Sequence, residues 1–160
     1  MPRTAEAALR AKPPFTQGWV RYREEVAHPS LPTPRIARGQ MGGAPGKLIR
    51  KQAQPVAEIS EIGAQVITIT DAEGQVDRLP IPEAMRPMIT ALEAMISGDS
   101  AKLMARFDIA LAPDPVGWRV TMTPGGEAPV ALTLLGCGLV VTGLDLPQAG
   151  GLTRRLRFEP

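Results

Sequence analysis

The sequence predicts an α+β fold that is mainly β: an antiparallel meander crossed by one apolar helix. Nearly every segment reads as a short run of alternating residues bounded by Gly, Pro or Asp, the patterning of half-buried strands. One stretch departs from this. Pro82–Ser97, PEAMRPMITALEAMIS, places Met85, Met88, Ile89, Leu92, Met95 and Ile96 at helical spacing. The breaks between strands are too short for βαβ crossovers, so the sheet is antiparallel. At 160 residues the chain is read as one domain, residues 1–160, long enough to bury a real core.

The elements follow in order. Thr4–Lys12 is rich in Ala, Glu and Arg and reads as a short helix stopped by Pro13-Pro14. Phe15–Val26 reads as a long strand. Its odd and even positions are both mixed, so alternation does not settle its inward face. His28–Pro34 carries three prolines and is a loop. Arg35–Met41 is a second strand, ended by Gly42-Gly43-Ala44-Pro45-Gly46. Lys47–Ala53, Val56–Ile62, Gln65–Asp71 and Gln75–Ile81 are further strands, broken at Pro55, Gly63 and the Asp71-Ala72-Glu73-Gly74 turn. Pro82 suits the first turn of the Met-rich helix and Gly98 its stop. Asp99-Ser100 caps another helical stretch through Arg106. Phe107–Ala112, Gly117–Thr123, Val130–Leu135, Leu139–Leu146 and Leu152–Phe158 complete the strands. In Gly117–Thr123, Trp118, Val120 and Met122 alternate with Arg119, Thr121 and Thr123, the cleanest amphipathic strand of the chain.

Composition narrows the function. Hydrophobic residues make up 44% of the chain and aromatics 4%, so the core is built from Leu, Ile, Val, Met and Ala. A net charge of +2, with no basic cluster interleaved with aromatics, argues against nucleic acid. Cys137 is the sole cysteine, which excludes an intrachain disulfide. No run reaches membrane-spanning length. MPRTAEAALR has no apolar signal core, which fits a cytosolic chain or the mature form of an exported one.

Motifs that resemble chemistry fail on inspection. Gly42-Gly43-Ala44-Pro45-Gly46-Lys47 has Met41 where a phosphate loop needs Gly and Leu48 where it needs Ser or Thr, and Pro45 removes a donor. It reads as a turn. His28 is the sole histidine and lies among prolines, so a zinc site with Cys137 is improbable and no cofactor is expected. Cys137 falls in Leu135-Gly136-Cys137-Gly138, a hairpin turn, and reads as a structural thiol. Glu24, Glu25, Glu58, Glu61 and Asp71 lack the paired spacing of acid–base work and are read as solvated. Arg154, Arg155 and Arg157 read as the charged guard of an edge strand, or as a contact patch for an acidic partner or anionic headgroups. Methionines adapt to irregular apolar ligands, so the Met stripe is either ordinary core or a binding face.

The order of these elements resembles the LolA-type outer-membrane lipoprotein carrier family of Gram-negative bacteria, in particular its divergent LolA-like members. Phe15-Thr16-Gln17 is similar to the family's F-T-Q/E opening of the first strand. Pro45-Gly46-Lys47-Leu48 is similar to its R-P-x-x-(L/F) turn, with Ala44 where the family has Arg. Pro55 with Val56–Gly63, then Gln65–Thr70, match a strand–turn–strand segment, the Met-rich helix stands where the family has its lid, and Phe107–Leu111 and Gly117–Pro124, the latter ending Met122-Thr123-Pro124, look like the family's later strands, which often end in L-T-P. The resemblance implies an unclosed antiparallel half-barrel with a helical lid over an apolar cavity. It also implies a monomeric periplasmic carrier that takes lipid or lipidated-protein cargo from an inner-membrane transporter to an outer-membrane acceptor, without catalysis. Met85, Met88, Ile89, Leu92 and Met95 are then expected to face the cargo from the lid. Trp118, Val120 and Met122, with Ile67, Ile69, Leu79, Phe107 and Ile109, are expected to face it from the sheet.

Two other classes remain. One is a non-catalytic structural or interaction module of the same fold whose interior is filled by its own side chains. The other is an enzyme on an acyl substrate with Cys137 as nucleophile. Cavity volume separates the first from a carrier, and full activity or binding in Cys137→Ala would remove the second.

Overall fold

The computed structural model describes residues 4–11, 18–44, 47–63, 65–83, 86–124, 131–147 and 151–159. Their strands form one antiparallel sheet of eleven. In chain order these are β1 (Val20–Ala27), β2 (Arg35–Ala44), β3 (Lys47–Gln54), β4 (Glu58–Ile62), β5 (Val66–Asp71) and β6 (Val76–Pro80), then β7 (Phe107–Asp114), β8 (Gly117–Pro124), β9 (Leu132–Cys137), β10 (Val140–Pro147) and β11 (Thr153–Glu159). Three helices accompany them: α1 (Ala5–Leu9), α2 (Arg86–Ser97) and α3 (Ser100–Arg106).

The sheet is two meanders joined at their first and last strands. Its order is β6-β5-β4-β3-β2-β1-β11-β10-β9-β8-β7, with β6 and β7 as the edge strands at opposite ends among the described residues. The sheet is therefore not closed into a barrel. Because α2 and α3 connect β6 to β7, the helical segment must travel from one edge of the sheet to the other. It does so on the side where the sheet's buried residues lie.

Local chemistry explains the boundaries. Thr4 caps α1 by accepting a hydrogen bond from the Ala7 amide. The Asp71 carboxylate accepts from the Glu73 and Gln75 amides and shapes the turn into β6, where Gly74 has φ +84°. α2 ends with Gly98 at φ +74°; its amide donates to Met95 O and the Asp99 amide to Ala94 O, the paired bonds of a Schellman stop. Asp99 then caps α3 through the Lys102 amide.

Several expectations are corrected. β1 starts at Val20 rather than Phe15; Gly18, at φ +134°, precedes it, and Phe15, Thr16 and Gln17 lie outside the described residues, as do Pro13-Pro14 and Pro45-Gly46. α2 is described from Arg86 and Pro82 is not part of it, with residues 84 and 85 outside the described residues. β11 is not an edge strand, because it pairs with β1 on one side and β10 on the other. Two of the three arginines read as its guard are ion-paired: Arg157 with Asp145 at 2.7 Å and Arg154 with Glu24 at 3.2 Å. Glu24, expected in solvent, is 8% exposed.

The core sits between the helices and one face of the sheet. Its main cluster joins Leu9, Leu92, Met95 and Leu103 of the helices to Tyr22, Trp118, Val120, Met122, Leu134 and Leu144 of the strands. A smaller cluster joins Ile89 of α2 to Ile67 and Ile81. Trp118 is fully buried, and its ring occupies the space that a side chain at Gly136 would fill.

Candidate functional site

Strand register decides which residues share the inner face, because residues directly opposite one another point to the same side. One row runs Leu79–Ile67–Ile62–Leu48 across β6, β5, β4 and β3. The next runs Ile69–Ser60–Arg50–Met41 across β5, β4, β3 and β2. Beyond β2, Glu24 of β1 stands opposite Leu156 of β11, which stands opposite Leu144 of β10, and Arg154 stands opposite Leu146. The first row is apolar throughout, and polar residues enter in the second at Ser60 and Arg50 and in the last at Glu24 and Arg154.

These rows wall a cavity of about 360 Å³. Leu92 of α2 and Pro82, before the helix, complete its lining. This volume lies at the small end of the ~300–1,000 Å³ typical of small-ligand sites. The walls are aliphatic save for Glu24, Arg50, Arg154, Glu58 and Ser60.

The polar residues are organised. Glu24 Oε1 accepts from Arg50 at 2.8 Å and from Arg154 at 3.2 Å, so two guanidiniums share one carboxylate oxygen. Arg50 starts two strands away from Glu24 and, by register, across Met41 from Val20 rather than from Glu24 itself. It can reach because β2 places the small residues Ala37 and Gly39 opposite Glu24 and Tyr22. The Arg50 guanidinium lies 5.2 Å from the Tyr22 ring centroid and also donates to Gln52 Oε1 at 3.1 Å. Ser60 Oγ is 3.5 Å from Glu58 Oε1. Two buried polar atoms, the Tyr22 hydroxyl and Arg50 Nε, make no hydrogen bond of acceptable geometry. Burial raises the Tyr22 phenol above its ordinary pKa, while the Arg50 charge beside it pulls the other way without prevailing.

Of the residues singled out from sequence, Ile67, Ile69, Leu79 and Leu92 line this cavity. Ile89 is buried beside it with Ile67 and Ile81, and Met95 is buried in the main cluster. Phe107, Trp118, Val120 and Met122 are also buried there, with Ile109 packed against them, and none of these is among the lining residues. Met85 lies outside the described residues, and Met88 is placed on α2 by its backbone alone. The lining residues missed from sequence include Met41, Leu48, Leu144, Leu146 and Leu156, together with the charged set. The one local signal was on β3, where Leu48 and Arg50 share a face.

Among the described residues no helix is long and apolar enough to cross a membrane, and no group of three or more His, Cys, Asp or Glu is placed to hold a metal. Cys137 is exposed at the end of β9, where Gly138 and Leu139 turn the chain into β10. It is not a lining residue of the cavity. His28 lies in the turn after β1, its Nδ1 2.6 Å from Ser30 Oγ.

No protein-family profile matches the sequence, and no curated protein matches it either. Its structure is similar to the crystal structure of a LolA superfamily protein from Nitrosomonas europaea, with a TM-score of 0.52 at 9% identity, over 98% of this chain and 90% of that one. The chain thus has a LolA-like fold: an antiparallel sheet that stops short of a barrel, with helices across its inner face.

Proposed function

We propose that this protein is a non-catalytic carrier that holds acyl chains of a lipid or lipidated protein in the cavity under α2. On this reading it works in the periplasm, taking cargo from an inner-membrane transporter and passing it to an outer-membrane acceptor as a monomer. The observation that carries the proposal is the cavity itself. A sheet and a helix that face each other with aliphatic side chains leave about 360 Å³ between them unfilled. An interaction module with a packed interior has no use for that space.

The energetics suit the role. Each methylene moved from water into the cavity gains about 0.8 kcal/mol. Release requires that this gain stay moderate, and a cavity closed by one helix can be opened by displacing that helix. Ile89, packed with Ile67 and Ile81, and Leu92, over the cavity, hold α2 down by apolar contact. Closure then needs no ionic latch.

Mass spectrometry of lipids co-purified with the protein from its native periplasm tests the reading. A defined acylated species, recovered repeatedly and at near-stoichiometric amount, is the expected result. Preparations that consistently carry no lipid would favour the interaction module instead.

A further inference from the structure

We propose that the Arg50–Glu24–Arg154 cluster is an anion site, and that the ligand is a single-chain amphiphile whose ionised head it holds. This rests on the carrier reading and narrows it. Three observations support it.

The first is placement. The cluster stands on the cavity wall, with Leu48 and Ile67 on one side and Leu144 and Leu156 on the other. An amphiphile with its tail among those leucines puts its head against the guanidiniums. Glu58 adds a second acid to the wall, one residue pair further along, opposite Gln52 and bonded to Ser60. The end nearest Arg154 is therefore the cationic end.

The second is unspent donor capacity. A guanidinium carries five N–H donors. Arg50 gives one nitrogen to Glu24 and Gln52, and its Nε has no partner. Two cations on one carboxylate leave the triad with a net charge of +1. A buried Arg–Glu–Arg triad is poor value as a stabilising device, because well-packed apolar residues usually serve stability as well or better. At this position leucines would also fill the cavity. An oxyanion entering between Arg50 and Arg154 would meet guanidinium donors suited to bidentate pairing.

The third is size. The cavity, about 360 Å³, lies at the small end of the ~300–1,000 Å³ of small-ligand sites, which fits one single-chain ligand better than several chains side by side.

Titration calorimetry on the delipidated full-length protein provides the test, using dodecanoate, dodecyl phosphate and dodecanol below their aggregation concentrations. At least one of the two anions is expected to bind about tenfold or more tightly than the alcohol, the scale of a charge-assisted hydrogen bond. The stronger of the two identifies the preferred oxyanion. Arg154→Gln, at a side chain 34% exposed, is expected to weaken anion binding about tenfold more than dodecanol binding. Arg50→Gln is the second variant, used with the same alcohol control. Equal affinity for acids and alcohol, or an advantage that survives both substitutions, overturns the anion site while leaving the carrier reading intact. Failure of all three ligands to bind overturns both.

Discussion

At the scale of single residues, Tyr22 reports most directly on the interior. It is the sole tyrosine of the chain and is 1% exposed, with a hydroxyl that has no hydrogen-bond partner. Burial disfavours the phenolate, so the native pKa lies above the ordinary 10.0, against the opposing pull of Arg50. The linkage has a definite sign. A native pKa raised above the unfolded one means that the folded chain holds a proton the unfolded chain releases. The associated stability is complete below about pH 10 and declines as the pH rises toward the native pKa. Phenolate absorbance should therefore titrate above pH 10 in the native protein and return to about 10 in denaturant, a clean measurement with one tyrosine. A native midpoint at or below 10 would mean that the Arg50 charge, not burial, governs the site.

At the scale of elements, β8 and β9 show what a sheet residue must give up for its neighbour. Trp118 stands opposite Gly136, and its indole nitrogen donates to Gly138 O at 3.0 Å. A Cβ on Gly136 would lie 2.0 Å from the indole ring, so the ring would have to move and its hydrogen bond with it. Overpacking of this kind costs about 1–3 kcal/mol. Gly136→Ala should accordingly lower the urea midpoint by an equivalent amount and shift tryptophan emission to the red; unchanged stability would show that β9 gives way freely. The same pair marks how far the sequence could be read. Alternation identified Trp118, Val120 and Met122 as an inward face, and the turn chemistry of Asp71–Gly74 and the Asp99 cap identified neighbouring elements to within a few residues. Alternation says which side chains point inward, but not which of them meet a partner. Trp118 fills its own space against a glycine eighteen residues away, whereas Leu144 and Leu156 are left facing a gap. Nor does local pattern record long-range pairing. β11 looks like a charged edge because its arginines are adjacent in sequence, while the strand that covers it, β1, lies some 130 residues earlier.

At the scale of the whole molecule, the order of strands sets the order of stability. The pairing of β1 with β11 joins the two meanders, and Tyr22 and Leu156 from these strands lie in the main cluster. β6 sits at one end with every residue exposed, and its Asp77, Arg78 and Pro80 discourage a further strand from adding there. α2 is intermediate: it contributes to both clusters and holds them together across the inner face. Opening free energies follow burial and the number of interactions that must break together. Amide hydrogen exchange should then be slowest in β1 and β11, faster in α2, and fastest among the strands in β6. Ligand in the cavity touches Leu92 and should slow α2 selectively, because displacing the helix would then also expose the tail. Exchange in α2 as slow as that of β1 in the empty protein would mean that the helix is a fixed wall, and cargo would have to enter by another route.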